Sequence, residues 1–426
     1  MVFDQAYSCS FPTLPCRAEM FTGRFIFPYL NWGPLPKDEV LLSDTLAKAG
    51  YTCAIATDNL PMGRSDYHYT RGFHSVMRVR GQWYDNFKPL EGPFTWPCEP
   101  SKLGDGPDQR VKQYLRNVAD RKTEDDYFAP RVVIEAMNWL ERHHDESPFY
   151  LHVDIFDPHE PWDPPVEMRR LYDPDGSGDD VIRPVMGPAD AYSDADMERI
   201  RALYWGEITL MDRWVGKLLD RLEELGRAHD TIVCFLSDHG VFLGDRGLLG
   251  KLGKSEQNVK GWPTYCELSR VPMMWRVPGV KPGRTESFMH PGDVAPTLLD
   301  LTGVKRPDRM KARSAVPVLE RAEAAIRDIA VSSWSLRGVS AHRPSVIRTE
   351  EWTLVEWRTG IKPELYHRKS DPLERINVYD SNRAAAAELH RRYIQFLREN
   401  DAPTGNVLPR QFQIHWGRSE SISREA

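Results

Sequence analysis

The sequence lacks several features that would place it in a common class of protein. It contains no apolar run of the roughly 18 residues that a membrane-spanning helix requires. It has no basic excess, since 56 Lys and Arg stand against 62 Asp and Glu and the net charge is −6, which argues against nucleic acid as a partner. No signal peptide is visible at its start. We therefore expect a cytoplasmic protein that acts on neither membranes nor nucleic acids.

Motifs of several enzyme classes are also missing. No GxGxxG follows a strand pattern, which argues against a dinucleotide-binding fold. No GxSxG occurs, which argues against a Ser-His-Asp hydrolase. The six cysteines lie far apart without a CxxC pair. This spacing is typical of reduced thiols rather than of a disulfide framework or a zinc site.

The chain does contain an alternation of helical and strand patterns. A buried strand is predicted over 51–57 and another over 148–156. Apolar residues recur every three or four positions over 204–225 and predict a long helix that ends at Gly226. A buried strand over 231–236 follows. This order predicts an α/β fold with a large, mostly parallel sheet flanked by helices.

The C-terminal part has a different pattern. Short, half-alternating segments predict a small antiparallel sheet with strands over 328–334, 344–349 and 351–358. A helix predicted over 383–400 packs on this sheet. We divide the chain into an α/β domain over 1–310, a small C-terminal subdomain over 311–402, and a tail over 403–426. The tail lacks periodicity, so we expect it to wrap the surface or to be disordered.

Polar segments follow three of the predicted strands, at the sheet edge where ligands of α/β proteins collect. They are 56–59, 157–165 and 237–251. Asp238 and His239 directly follow a buried strand, and a carboxylate beside an imidazole suits a hard metal ion. An Asp at this position is equally typical of a helix cap, so the residues alone leave both interpretations open.

Together these segments resemble the sulfatase family of the alkaline-phosphatase superfamily. The family signature is Cys or Ser, any residue, Pro, any residue and Arg, followed shortly by Thr-Gly-Arg. The stretches "TLPCR" from Thr13 and "TGR" from Thr22 fill this frame. "SDHG" at 237–240, "GLLGK" ending at Lys251 and "DPHEPW" at 157–162 match the metal, sulfate-binding and catalytic-histidine segments of the family.

The nucleophile position of this frame holds a threonine. The signature requires Pro two residues on and Arg four residues on, and Thr13 has Pro15 and Arg17 at those distances. Cys16 has neither, so it is predicted to be a bystander.

The threonine bears on the reaction. By resemblance, sulfatases convert the motif Cys or Ser to formylglycine, whose hydrate attacks sulfur and expels sulfate through its spare hydroxyl. Threonine has no second hydroxyl, so a sulfated Thr13 would be an ester that water must cleave. Related phosphatases and phosphodiesterases turn over a phospho-Ser or phospho-Thr by a second in-line attack. The family therefore predicts hydrolysis of sulfate esters, whereas Thr13 favours related phosphate esters.

Three departures from the family pattern concern the site. The family begins with a strand that ends in one or two Asp, which supply half of the metal ligands, whereas this chain begins with the segment that follows it. Either the gene model lacks that strand or the metal site is incomplete. Thr57 and Asn59 stand where a Lys-His pair is common, and they are predicted to bind substrate oxygens without charge. Arg246 replaces a family His and is also assigned to substrate binding.

The resemblance implies an in-line displacement at the ester. Thr13 attacks, Arg17 and Lys251 neutralise the charge on the ester oxygens, and His159 protonates the leaving alcohol or holds it in place.

Asp238 and His239 are the metal ligands that the resemblance implies, with Ca²⁺ favoured and Mg²⁺ or Mn²⁺ left open. The partner is a small-molecule sulfate or phosphate ester, and the sequence indicates no oligomeric state. Two alternatives remain at this point. One is an enzyme similar to phosphodiesterases or phosphonate monoester hydrolases, and the other is a catalytically inactive binding or scaffold protein.

Overall fold

The computed structural model describes residues 1–104, 109–146, 148–252, 261–321, 324–338, 343–357 and 361–411, so most of the predicted tail, 412–426, lies outside the described residues. The helices are α1 Thr13–Thr22, α2 Leu42–Lys48, α3 Arg110–Val118, α4 Phe128–His143, α5 Val166–Arg170, α6 Asp194–Glu224, α7 Cys266–Ser269, α8 Val294–Leu301, α9 Val316–Glu320, α10 Arg383–Glu399 and α11 Thr404–Gln411. The strands are β1 Val2–Ala6, β2 Ser10–Phe11, β3 Thr52–Thr57, β4 Ser75–Arg78, β5 Phe149–Asp154, β6 Gly187–Pro188, β7 Val233–Leu236, β8 Phe242–Leu243, β9 Leu248–Gly250, β10 Met273–Arg276, β11 Arg284–Met289, β12 Ala330–Trp334, β13 Ser345–Arg348, β14 Trp352–Glu356 and β15 Glu364–His367.

The first half of the chain has the predicted α/β organisation. β3 lies between β4 and β5 and runs parallel to both. Because parallel strands end at the same edge of a sheet, the last residues of β3 and β5, Thr57 and Asp154, lie side by side. Helices α4 and α6 pack on this sheet through apolar side chains such as Leu140 and Leu222. The α/β fold class is thus confirmed.

A second, mixed sheet lies alongside, with the strand order β11, β1, β10, β7. β1 pairs parallel with β11 and antiparallel with β10, and β10 pairs antiparallel with β7. The N-terminal residues therefore form a strand, which the sequence pattern does not predict. Asp4 in this strand pairs with Arg284 at 2.5 Å.

The strands of the predicted large sheet are divided between these two sheets. Within the described ranges, β5 and β7 each pair with a strand on one side only. Both are apolar in sequence, yet most of their residues are only half-buried. The carboxyl ends of β5 and β7 lead to Asp154 and to Asp238, so the candidate site lies where these two sheet edges meet.

Helix α6 is longer than the apolar periodicity predicts. It begins at Asp194 rather than near 204, because the Ser193 hydroxyl accepts the N–H of Asp196 at 3.1 Å and caps the first turn. Its end agrees with the prediction, since Gly226 has a φ of 69° directly after the helix.

The C-terminal sheet has the strand order β15, β14, β13, β12, β2. The first four strands are antiparallel, as predicted, but β2 comes from the N-terminal region and pairs parallel with β12. β2 directly precedes α1, so the C-terminal sheet helps to hold the start of that helix. The predicted boundary near residue 310 stays a prediction.

The first part of the predicted tail forms a helix, α11. α11 packs against α10 through the buried side chain of Val407. A helix this short is marginal alone and depends on such packing, so sequence periodicity does not reveal it. Among the described residues, no helix has both the length and the apolar character needed to cross a membrane.

Candidate active site

Thr13 is the first residue of α1. Its hydroxyl lies 3.2 Å from Nε2 of His239. The other ring nitrogen, Nδ1, donates a hydrogen bond to the carbonyl of Gly240 at 2.9 Å. Burial lowers the pKa of His239 to about 4, so the ring is neutral near pH 7 and Nε2 carries the lone pair. The Thr13 hydroxyl is therefore the donor to Nε2.

Arg17, one turn further along α1, lies between two carboxylates. Its Nε and Nη2 donate to Oδ1 of Asp154 at 3.0 and 2.7 Å, and its Nη1 donates to Oδ2 of Asp238 at 2.5 Å. Burial alone would lower the pKa of Arg17, but the two carboxylates outweigh it and raise that pKa. Burial alone would raise the pKa of Asp238, but His239, Arg17 and Lys251 lower it overall. Arg17 and Asp238 therefore stay charged.

Sequence reasoning misses Asp154. It is the last residue of β5, in register with Thr57, and the Thr57 hydroxyl donates to its Oδ2 at 3.2 Å. An acidic residue at the carboxyl end of a parallel strand is the signal that would have identified it. Thr57 thus supports Asp154, and its predicted contact with substrate stays a prediction.

Asn59 is buried two residues beyond β3. Its Oδ1 accepts the N–H of Met62 at 3.3 Å. Its Nδ2 has no hydrogen-bond partner within the described ranges. A buried amide donor without a partner suits an ester oxygen, and the predicted role of Asn59 in substrate binding stays a prediction.

His159 lies in the loop after β5, among aromatic rings. It stacks on Phe156 at a centroid distance of 4.1 Å and meets Trp83 edge-on at 5.8 Å. Its Nδ1 donates to the carbonyl of Glu160 at 2.7 Å. Burial lowers the pKa of His159 to about 3, so the neutral ring presents Nε2 as an acceptor.

Lys251 lies beside Glu160, the residue that follows His159. Its Nζ is 3.9 Å from Oε2 of Glu160, and both side chains are buried. Burial, the largest influence, lowers the pKa of Lys251, while Glu160 and Asp238 act in the opposite direction. Lys251 therefore connects the surroundings of His159 to those of Asp238. In this way the structure brings together six predicted site residues that are far apart in sequence, namely Thr13, Arg17, His159, Asp238, His239 and Lys251.

Arg246 does not belong to this group by its contacts. Its Nε donates to Oε1 of Glu267 at 3.0 Å, and Nη1 and Nη2 donate to the carbonyls of Glu374 and Leu373 at 2.7 and 2.9 Å. Its guanidinium also lies 3.8 Å from the centroid of the Tyr265 ring. These contacts connect the loop between β8 and β9 to the turn after β15. We therefore leave Arg246 out of the proposed substrate contacts.

The thiol of Cys16 is unsuited to act as a nucleophile. It is buried, and its thiol donates to the carbonyl of Asp238 at 3.4 Å. Burial raises its pKa well above the ordinary value, so the thiol stays protonated and is a poor nucleophile. This agrees with its predicted role as a bystander.

The described residues do not fit a complete divalent-metal site. Asp238 and His239 supply one carboxylate and one imidazole, and Oδ2 of Asp238 is engaged by Arg17. Across the described ranges, no group of three or more His, Cys, Asp and Glu side chains is arranged to hold a metal ion. The sulfatase-type metal role predicted for Asp238 and His239 therefore does not enter the mechanism below.

Comparisons with known proteins establish the family of the chain. The sequence model of the sulfatase family matches residues 1–304. A second model, described as the C-terminal part of N-sulphoglucosamine sulphohydrolase, matches residues 262–399. Since the first match covers more than half of the sequence, the chain belongs to the sulfatase family.

The sequence identity to individual relatives is low. An arylsulfatase of Clostridium perfringens is 27% identical over 290 residues, which cover 63% of this chain and 56% of the relative. The chain thus spans just over half the length of that relative. A structure described as a complex with its substrate D-glucosamine-2-N,6-O-disulfate has a TM-score of 0.71 at 18% identity, covering 95% of this chain and 92% of the other. A phosphonate monoester hydrolase of Agrobacterium radiobacter has a TM-score of 0.70 at 23% identity, covering 93% and 88%. Both structures show the fold.

Proposed function

We propose that this chain hydrolyses a sulfate ester or a related phosphate ester by in-line attack of the Thr13 hydroxyl. The observation that carries the proposal is the contact of 3.2 Å between Thr13 and a neutral His239. Arg17 and Lys251 supply two buried cations in the same region, which suits an anionic ester. Membership of the sulfatase family supports the reaction class.

The first step is transfer to the threonine. Thr13 Oγ1 attacks the sulfur or phosphorus atom, its proton passes to Nε2 of His239, and the bond to the alcohol oxygen breaks on the opposite side. The alcohol oxygen then takes a proton from water. Arg17 and Lys251 stabilise the charge on the non-bridging oxygens.

The second step releases the product. Water attacks the sulfated or phosphorylated Thr13 from the side that the alcohol has left, and the neutral Nε2 of His159 accepts its proton. The Thr13 oxygen then leaves and recovers its proton from His239. His159 passes its proton to the hydroxide ion that formed when the alcohol oxygen took a proton from water, so both histidines are neutral again. Two roles are predicted for His159, namely to protonate the leaving alcohol or to hold it in place. A neutral ring can hold the alcohol and accept a proton from water, so its neutral state favours the second role.

The threonine favours phosphorus over sulfur as the site of attack. No hemiacetal forms at Thr13, so the covalent ester must be cleaved by water, and in-line attack at phosphorus is well precedented. We expect phosphate mono- or diesters to be hydrolysed at least as well as sulfate esters.

The test compares wild type with Thr13→Ala and Thr13→Ser on 4-nitrophenyl sulfate, 4-nitrophenyl phosphate and bis(4-nitrophenyl) phosphate. Thr13→Ala removes the attacking oxygen and should lower kcat by about a thousandfold or more. Thr13→Ser keeps the hydroxyl and should retain activity. Hydrolysis that persists in Thr13→Ala would overturn the proposal, and sulfate hydrolysis far faster than phosphate hydrolysis would overturn the preference.

A catalytically inactive binding protein is the second candidate. The incomplete set of metal ligands among the described residues favours it. If wild type binds the three esters but hydrolyses none of them, this second function stands and the first fails.

A further inference from the structure

Trp83 has a backbone conformation that is rare for a bulky residue. Its φ is 56°, in the left-handed region that strains residues with a Cβ atom. Its N–H donates to Oε1 of Gln82 at 2.9 Å, and the side chain is buried. Strain of this kind persists where the surrounding structure holds a side chain in a required place, often at a functional site.

The indole ring contacts both His159 and Arg183. The ring of His159 meets it edge-on at a centroid distance of 5.8 Å and an interplanar angle of 70°. The guanidinium carbon of Arg183 lies 4.5 Å from the indole centroid. A guanidinium at this distance is attracted to the electron-rich face of an indole. Trp83 therefore contacts both a cation and the histidine that the proposed mechanism assigns to the leaving group.

The charge of Arg183 also acts on the buried pair beside His159. Burial alone would raise the pKa of Glu160, but His159, Lys251 and Arg183 lower it overall. Burial lowers the pKa of Lys251, and Arg183 adds to this effect. The charge of Arg183 thus acts on both members of the Glu160–Lys251 pair beside His159.

We infer that Arg183, held by Trp83, forms an anion-binding subsite for the alcohol part of the ester. The chain then prefers esters whose alcohol carries a second anionic group, such as a carboxylate. A guanidinium forms paired hydrogen bonds with a carboxylate or a sulfate, so it distinguishes such a group from a neutral one of the same shape. This inference rests on the proposed function, because it assigns the side of His159 to the alcohol.

The test measures binding to the full chain carrying Thr13→Ala, in which turnover is blocked. The probes are ortho-, meta- and para-carboxyphenyl sulfate, each compared with the carbamoyl compound of the same shape by isothermal titration calorimetry. We expect at least one carboxylate isomer to bind about tenfold more tightly than its neutral counterpart. Adding Arg183→Met should remove this preference, and adding Arg183→Lys should keep part of it.

Arg110→Met is the matched control, because the guanidinium of Arg110 lies 4.9 Å from the neighbouring Tyr84 ring. This variant should keep the preference. Equal binding of carboxyl and carbamoyl probes would overturn the inference and leave the proposed function standing, whatever the stability of the Arg183 variants. A preference that survives Arg183→Met would overturn it too. If none of the sulfate probes binds, the inference and the proposed function both fail.

Discussion

The two sides of the candidate site are held together by different forces. The nucleophile side consists of Thr13, Arg17, Asp154, Asp238 and His239. Its centre is a guanidinium that bonds two carboxylates at 2.5 to 3.0 Å. Such a unit has one low-energy arrangement, because every displacement breaks charged hydrogen bonds in a buried region.

The leaving-group side consists of Trp83, His159, Glu160, Arg183 and Lys251. Its ion pair between Lys251 and Glu160 is long, at 3.9 Å. Its histidine is held by two aromatic rings and by one hydrogen bond, from Nδ1 to the carbonyl of Glu160. Aromatic contacts fix a position less strictly than paired charges do. Under the proposed function, we expect the nucleophile side to determine whether the reaction occurs and the leaving-group side to determine which alcohol is accepted.

The largest effect on this comparison is expected from Arg17→Met. The change leaves Asp154 and Asp238 buried without their cation, which should lower the free energy of unfolding by about 3–5 kcal/mol and abolish turnover. Urea unfolding followed by tryptophan fluorescence measures the stability. Arg64→Met is the control, since the pair between Arg64 and Asp66 is exposed and should contribute little. Similar small losses in both variants would show that charge does not hold the nucleophile side.

A smaller effect is expected from His159→Asn on the leaving-group side. If the neutral histidine only holds the alcohol and accepts a proton from water, kcat/KM should fall by a similar factor, about tenfold to a hundredfold, for aryl and alkyl esters. Steady-state kinetics with 4-nitrophenyl phosphate and an alkyl phosphate measure the two factors. A much greater loss for the alkyl ester, whose leaving group needs a proton, would instead establish His159 as the proton donor.

The pH dependence of stability should also change with His159. Burial lowers the pKa of His159 from 6.5 to about 3, so between these values the unfolded chain binds a proton that the folded chain does not. The free energy of unfolding is therefore unaffected by this group above pH 6.5. As the pH falls from 6.5 toward 3, it decreases by up to about 1.4 kcal/mol per pH unit.

His159→Gln should therefore lose less stability than wild type between pH 7 and pH 5. Urea unfolding at both pH values tests this, and His229→Gln, a change of an exposed histidine, should leave the slope unchanged. Identical slopes for His159→Gln and wild type would contradict the neutral state assigned to the ring.

The smallest effect is expected from Cys16→Ala. Cys16 contacts only the backbone oxygen of Asp238 in the nucleophile side, so kcat should stay within about twofold of wild type while stability falls by roughly 1 kcal/mol for the lost packing. Intact mass should show an unmodified thiol. Loss of activity in a folded Cys16→Ala variant would move the nucleophile from Thr13 to Cys16.

Much of the fold could be predicted from local patterns. The strand ending at Thr57 and the helix ending before Gly226 follow from apolar runs, apolar periodicity and a glycine cap, which depend on neighbouring residues only. The start of α6 and the presence of α11 could not. The first depends on a Ser193 cap outside the periodic segment, and the second depends on packing against a helix that only the fold supplies.

The predicted site shows the same division. The order of residues along the chain is enough to show that Thr13, and not Cys16, fills the signature, because the signature is defined by the spacing to Pro15 and Arg17. It also placed Asp238 and His239 after a strand, since their position follows from the apolar run before them.

The contacts of these residues, in contrast, depend on the tertiary structure. It paired Arg17 with Asp154, 137 positions away, and it turned Arg246 toward Glu374, 128 positions away. It also set the neutral state of His159 through burial. Ion pairs and burial depend on which distant segments meet when the chain folds, and no local pattern carries that information.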